Sequence, residues 1–202
     1  MKSIGFTRRD LASWYVQRNL KRSKAVVGEG LVINGLPTIN ICMGSTLRIG
    51  VNCKLNSGER ANPLCGHRKV NLSLVTPRSS LSIGDNVGMS GVTIFCANSV
   101  QIGNFVNIGA GVQIYDTDFH PIDLYARRLH IENLIETAPV VIEDDVWVGV
   151  DVKILKGVRI GKGAIIGAGS IVTRSIPAMV VAAGVPARVI RSLSCKRDRD
   201  DD

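Results

Sequence analysis

The sequence predicts an all-β chain wound into a parallel β-helix of six-residue repeats, with a helix at its N-terminal end and one extruded loop. Three observations predict it. Large aliphatic residues recur at every sixth position over long runs; glycine follows many of them directly; and of 202 residues 45% are hydrophobic but only 4% aromatic. That balance suits a core of stacked aliphatic side chains better than an aromatic-rich sandwich.

The repeat is the first element to justify. Its anchors are Ile83, Met89 and Phe95, then, after one extra residue, Ile102, Ile108 and Ile114, and later Ile142, Val148, Ile154, Ile160, Ile166 and Val172. Gly84, Gly103, Gly109, Gly149, Gly161 and Gly167 follow anchors. Four residues beyond the anchors lie Val87, Thr93, Ser99, Val106, Val112, Val146, Val152, Val158, Ala164, Ser170 and Ile176, mostly small or β-branched. A helix of 3.6 residues per turn cannot keep a period of six, and simple alternation would not single out every sixth position. Six residues at about 3.3 Å each make a short strand plus a corner. Three such sides close a triangular coil whose anchors point inward and stack at the spacing of neighbouring strands, about 4.8 Å. The glycines are expected to ease the corners.

Charge and cysteine usage narrow the setting. Lys and Arg number 25 against 17 Asp and Glu, a net charge of +8, which favours acidic partners such as phosphates, nucleic acid or anionic lipid without choosing among them. Cys42, Cys53, Cys65, Cys96 and Cys195 form no C-x-x-C pair, so buried thiols in a reducing, cytoplasmic compartment are expected rather than a disulfide framework or zinc ribbon. No window is long and apolar enough to span a membrane.

The C-terminal third carries a resemblance. I-E-D-D-V-W-V-G-V at 142–150, G-A-G-S-I-V-T-R-S at 167–175 and A-G-V-P-A-R-V-I-R at 183–191 resemble the signature of the hexapeptide-repeat acyltransferases, most closely the maltose, galactoside and polysaccharide O-acetyltransferases. The resemblance covers residues 40–195 or so. It implies a left-handed parallel β-helix, where the general crossover rule would suggest the opposite hand. It also implies acetyl-CoA as co-substrate and a homotrimer with active sites between subunits. The expected organisation is a helical cap segment over 1–30, the β-helix over 31–195 with the loop 115–141 extruded, and a charged tail over 196–202.

The loop is the expected seat of chemistry. Between Ile114 and Ile142 the spacing is 28 in place of six, and so long an excursion from a regular scaffold is usually functional. It opens D-T-D-F-H-P. In the resembling sugar O-acetyltransferases the extruded loop carries the catalytic histidine in a similar H-P context, which maps to His120. An alcohol attacks a thioester slowly unless a base takes its proton, and imidazole suits neutral pH. Asp116 and Asp118 are candidates to orient the ring or touch the acceptor, with turn chemistry as the alternative. His67, in a second interruption over 56–70, and His130 are weaker candidates. The zinc-binding carbonic anhydrase relatives use a histidine pair five residues apart; here the gaps are 53 and 10, so no metal is expected.

Coenzyme A, with its phosphates and thin pantetheine arm, suits an extended groove with cations at its outer end. Arg174, Arg188 and Arg191 are the candidates for the phosphates, with solvated end charges as the bland reading. By resemblance Thr173 and the backbone around Ala168 line the donor site. Trp147 matches a family tryptophan near the reaction centre, pointing outward between Val146 and Val148, and Gly149 permits close backbone approach there. Val150 stands where some relatives carry a polar residue near the thioester carbonyl, which removes a side-chain oxyanion donor. Ser90 is the outward polar candidate for acceptor contact.

At the N terminus, Thr7, Asp10, Phe6 and Leu11 form a capping-box and staple pattern. The helix that follows, carrying Trp14, Tyr15 and Leu20, either caps the open end of the β-helix, as repeat architectures require, or lies on an anionic membrane. The leading expectation is an O-acetyltransferase acting on a sugar in surface polysaccharide biosynthesis. The alternatives are acyl transfer to an amine, and a non-catalytic scaffold binding phosphorylated ligands or nucleic acid. Nucleic acid is not expected as a partner of the enzyme.

Overall fold

The computed structural model of the chain describes Trp14, Val16, Arg18 and Leu20 and then residues 25–194. The capping-box residues, Tyr15, Cys195 and the charged tail lie outside the described residues. From residue 26 on, the chain winds as a left-handed parallel β-helix of triangular section, each successive strand up to the last strand of face 3 joining the next of three faces.

Face 1 holds β1 (Val26–Val27), β4 (Thr46–Ile49), β7 (Ser80–Ile83), β10 (Ser99–Ile102), β13 (Val140–Ile142) and β16 (Arg159–Ile160). Face 2 holds β2 (Val32–Asn34), β5 (Lys54–Asn56), β8 (Gly88–Ser90), β11 (Asn107–Ile108), β14 (Trp147–Val148), β17 (Ile165–Ile166), β19 (Val180–Gly184) and β20 (Ala187–Ser192). Face 3 holds β3 (Thr38–Ile41), β6 (Asn71–Leu74), β9 (Thr93–Cys96), β12 (Gln113–Tyr115), β15 (Lys153–Ile154) and β18 (Ile171–Val172). All pairings within these ladders are parallel except β19 with β20, an antiparallel hairpin that closes the C-terminal end of face 2.

The anchors stack as expected. On face 1 Ile49, Ile83, Ile102, Ile142 and Ile160 lie one above another. On face 2 the column is Leu55, Met89, Ile108, Val148, Ile166 and Ala182. All of these are buried. Because each strand is short, the coil gains its stability from the column, each aliphatic layer excluding water from the next.

Face 3 corrects the expected register. Its inward column is Leu72, Ile94, Ile114, Ile154 and Val172, so Ile94 rather than Phe95 points inward, and Phe95 stands on the outer surface. Likewise Val92 and Val100, not Thr93 and Ser99, are fully buried. The step from Met89 to Ile94 is five because the chain turns sharply at Gly91, whose φ is +54°.

The glycines that follow anchors serve a different purpose from the one expected. Gly84, Gly103, Gly109 and Gly149 do not have positive φ; a Cβ at Gly109 would lie 2.7 Å from the Gly149 carbonyl carbon, and one at Gly149 2.6 Å from the Ala168 nitrogen. They allow coils to approach at two corners. The left-handed turn positions are two residues beyond Gly84, Gly103 and Gly149, at Asn86, Phe105 and Asp151, and three beyond Ile142, at Asp145.

Val16 and Leu20, one helical turn apart, are buried in the same apolar cluster as the first coils, while Trp14 is exposed with the Arg18 guanidinium over its ring. The helix therefore packs its Val16/Leu20 stripe onto the β-helix. The coil begins with Val26–Val27, which pair with Arg48 and Ile49, inside the segment predicted as the cap.

Candidate active site

Two excursions leave the prism, both next to face 3. The longer one, residues 116–139, exits after Tyr115 and returns at Val140. At its base the chain crosses itself: Thr117 and Thr137 form an antiparallel bridge, the Asp118 amide donates to the Glu136 carbonyl, and the Ala138 amide donates to the Asp116 carbonyl. Beyond this neck lies a short helix, α1 (Leu124–Arg128), capped by Asp123, whose carboxylate accepts from the Ala126 amide at 2.8 Å.

His120 stands at the bend of this arm, exposed. The residue before it, Phe119, has φ +64°, and its ring packs on Phe95 (centroids 4.8 Å apart) and edge-on against Tyr115 (5.3 Å). On the other side, the Arg127 guanidinium donates to the carbonyls of Pro121 and Ile122, at 3.1 and 2.7 Å. The backbone on both sides of the imidazole is thus held, by an aromatic shelf before it and a guanidinium clamp after it. Sequence reasoning missed this shelf because it placed Phe95 in the core.

The two aspartates of D-T-D differ in environment. Asp116 is fully buried, and its two oxygens accept from the Ala97 and Asn98 amides, each at 2.7 Å. It is therefore corrected from an acceptor or ring-orienting candidate to a backbone staple; with both oxygens committed it reaches neither. Asp118 lies 3.3 Å from the Lys156 ammonium, which also bonds Glu136 at 2.9 Å. The Glu136 hydrogen bond, with Asp118 adding to it against partial burial, raises the Lys156 pKa. Lys156 so remains charged at neutral pH and ties both sides of the neck to the coil.

Ser90 is corrected as well. It stands on an outer position but is buried, its hydroxyl accepting from Nδ2 of the Asn56 side chain at 3.1 Å, because the second excursion, residues 57–70, lies across it. A Cβ at the neighbouring Gly91 would meet Cys65 Sγ and Arg68 Cβ of that excursion at 3.2 and 3.1 Å. His67 is exposed within the excursion, and His130, also exposed, follows α1 with φ +51°. Among the described residues no three His, Cys, Asp or Glu side chains converge as metal ligands do.

Five of the seven expected donor residues, Trp147, Gly149, Ala168, Arg188 and Arg191, lie on face 2 and its rim. Trp147 projects outward, 55% exposed, between buried Val146 and Val148. Gly149 and Ala168 abut at the corner between faces 2 and 3. The Gly149 amide is used, donating to the Ile166 carbonyl at 2.8 Å; the amide of Ala168, an exposed residue, enters no backbone hydrogen bond among the described residues. Arg191 pairs with Val181 and Arg188 with Ala183 on the closing hairpin, extending the Trp147 and Gly149 columns toward the C-terminal end. Thr173 and Arg174 lie one corner away, at the end of face 3, exposed. His120 and Trp147 thus issue from different faces of one chain.

The bacterial transferase hexapeptide family (six repeats) matches residues 139–174. The galactoside O-acetyltransferase of Escherichia coli strain K12 is 42% identical over 123 residues, 60% of this chain and 57% of that protein. A galactoside acetyltransferase solved in complex with coenzyme A is 30% identical, with 90% of this chain and 72% of that one covered at a TM-score of 0.56. A hexapeptide-repeat-containing acetyltransferase of Vibrio cholerae, solved with acetyl coenzyme A, is 27% identical over 93% of this chain and 80% of that one, at a TM-score of 0.57. The chain spans about half the length of the curated relatives it matches.

Proposed function

This chain belongs to the hexapeptide-repeat acetyltransferase family, and from that premise we propose that it transfers an acetyl group from acetyl-CoA to a hydroxyl of a sugar, with His120 as general base. The imidazole takes the hydroxyl proton as the oxygen bonds to the thioester carbonyl carbon. The tetrahedral intermediate then expels the CoA sulfur, which receives the proton back from the imidazolium. Oxyanion stabilisation falls to a backbone amide, and Ala168 is the candidate donor beside Gly149. Trp147 flanks the pantetheine arm, and Arg174, Arg188 and Arg191 meet the phosphates.

The observation that carries this reading is the division of labour between faces. The firmly held His120 projects beside face 3, while the exposed Trp147, Gly149, Ala168 and the hairpin arginines occupy face 2 and its rim. A base and a donor groove on two sides of a prism meet when a second copy sets its face 2 against the first copy's arm, which three copies do in a closed ring. The reading proposed is a homotrimer with intersubunit sites, with surface polysaccharide precursors made in the cytoplasm as the acceptor class.

Replacing His120 by Ala is expected to lower turnover at least about a hundredfold while calorimetry still records CoA binding and the oligomer persists. Mixing His120→Ala subunits with Trp147→Ala subunits is expected to restore part of the activity, since some clefts then combine an intact arm with an intact groove. Near-normal turnover of His120→Ala overturns the role given to the imidazole.

A further inference from the structure

The second excursion roofs a cavity of about 370 Å³ on the outer surface of face 3, lined by His67, Arg68 and Lys69 and floored by Asn71, Thr93 and Gln113. We propose that this cavity is an oxyanion subsite and that the acceptor is a sugar bearing a phosphate or carboxylate. This rests on the acetyl-transfer reading only for where the sugar's hydroxyl must lie.

The cavity's charge is one-sided. Three cationic or cation-forming side chains line it and no carboxylate does. Arg68 is tied to Asp151, 2.5 Å away, across Gly111; a Cβ at Gly111 would collide with the guanidinium. That tether fixes one wall. Among the described residues, the side chains of His67 and Lys69 form no ion pair or hydrogen bond, and Lys153 continues the outer column directly above Gln113. With Arg68 paired, Lys69 is the lining cation without an acidic partner among the described residues, and a concave site lined by such a cation concentrates anions.

The roof is also built rather than loose. The Gly58 amide donates to the Arg68 carbonyl at 2.8 Å, the Val70 amide to the Ser57 hydroxyl at 3.0 Å, and the Asn62 side chain caps the short 3-10 turn Pro63–Cys65. Asn71 Oδ1 accepts from the Ser73 hydroxyl at 2.9 Å, which leaves the Asn71 amino group as a donor. With the neighbouring carboxylate of Asp151 engaged by Arg68, the Asn71 donor and the unpaired Lys69 fit an oxyanion better than a neutral ring.

The cavity is also placed to serve the arm. Thr93 and Gln113, at its floor, share strands and outer orientation with Phe95 and Tyr115, the shelf under Phe119. Two residues along a strand are about 7 Å. An acceptor anchored by its anion in the cavity therefore presents its sugar ring toward His120, and the anion sets which hydroxyl arrives there.

The test uses the full chain in its native assembly and follows the three histidine ring resonances by NMR. Titrating methyl phosphate, and separately acetate, against chloride at constant ionic strength should give a saturable shift of the His67 resonance with at least one of the two, and the better ligand identifies phosphate or carboxylate. Lys69→Met should weaken it about tenfold or more, while Arg78→Gln, which removes an exposed cation elsewhere, should not. In acetyl-transfer assays glucose 1-phosphate or glucuronate should show a KM about tenfold below that of glucose, an advantage lost in Lys69→Met. Saturation without any acetylated product leaves the subsite standing and removes the catalytic reading. Product formed without saturation, or an anion preference that survives Lys69→Met, overturns the subsite and leaves catalysis intact.

Discussion

Phe119 packs at a tilt against Phe95 with ring centroids 4.8 Å apart, and the next residue along the chain is His120. An outward aromatic on a regular strand thereby fixes the position of a side chain that belongs to an irregular arm. Aromatic pairs contribute about 0.5–1.5 kcal/mol beyond the area they bury. Phe95→Ala is therefore expected to lower thermal stability only slightly, because Ile94 and not Phe95 fills the core. Turnover should fall about tenfold to a hundredfold as the imidazole loses its fixed approach. Steady-state kinetics beside a melting curve checks this; full activity in the variant would show that the shelf does not position the base.

Asp116 should behave in the opposite way. Its buried carboxylate accepts two amide bonds at 2.7 Å, and hydrogen bonds to a charged group are worth about 1.5–3 kcal/mol each. Asp116→Ala is expected to cost about 3–5 kcal/mol, read by denaturant melts, and to leave the Ala97 and Asn98 amides without their partner. A variant as stable as the wild type would remove the staple role.

The buried thiols give a pH prediction. Burial, with the Asp116 charge and hydrogen bond adding to it, pushes the Cys96 thiol up to about 12, and burial raises Cys53 and Cys65 as well. A thiol whose pKa is higher folded than unfolded leaves stability unaffected below its ordinary value near 9.0. Stability then declines as pH climbs from there toward about 12, where the unfolded chain ionises first. Among the described cysteines, Cys42, the partly exposed one, should react with a thiol reagent at neutral pH, and the other three only on unfolding. Rapid labelling of Cys96 in the native protein would contradict its placement.

Much of the scaffold was legible in the order of residues. From Ile142 to Val172 every sixth-residue anchor is buried, since no turn there departs from the common length. The slip at Phe95 came from T-I-F-C, two adjacent apolar residues of which either could be the anchor; only the shortened turn at Gly91 decides for Ile94. The earliest coils hid their period because the excursion over 57–70 separates them from the rest. At the site, the proposals for His120 and Trp147 come from motifs. Spacing could not reveal that Asp116 turns inward, that Lys156 binds the neck, or that Arg68 crosses Gly111 to Asp151, since these are contacts between residues far apart along the chain.

The bridge between Thr117 and Thr137 seals the arm at its own root, so that face 3 hands the chain to face 1 as it would across an ordinary corner. Whatever is spliced in beyond that root leaves the ladder above and below undisturbed. The frame and its appendage can consequently drift at separate rates, and an appendage transplanted from another prism at the same two threonines should fold without disturbing the coils on either side.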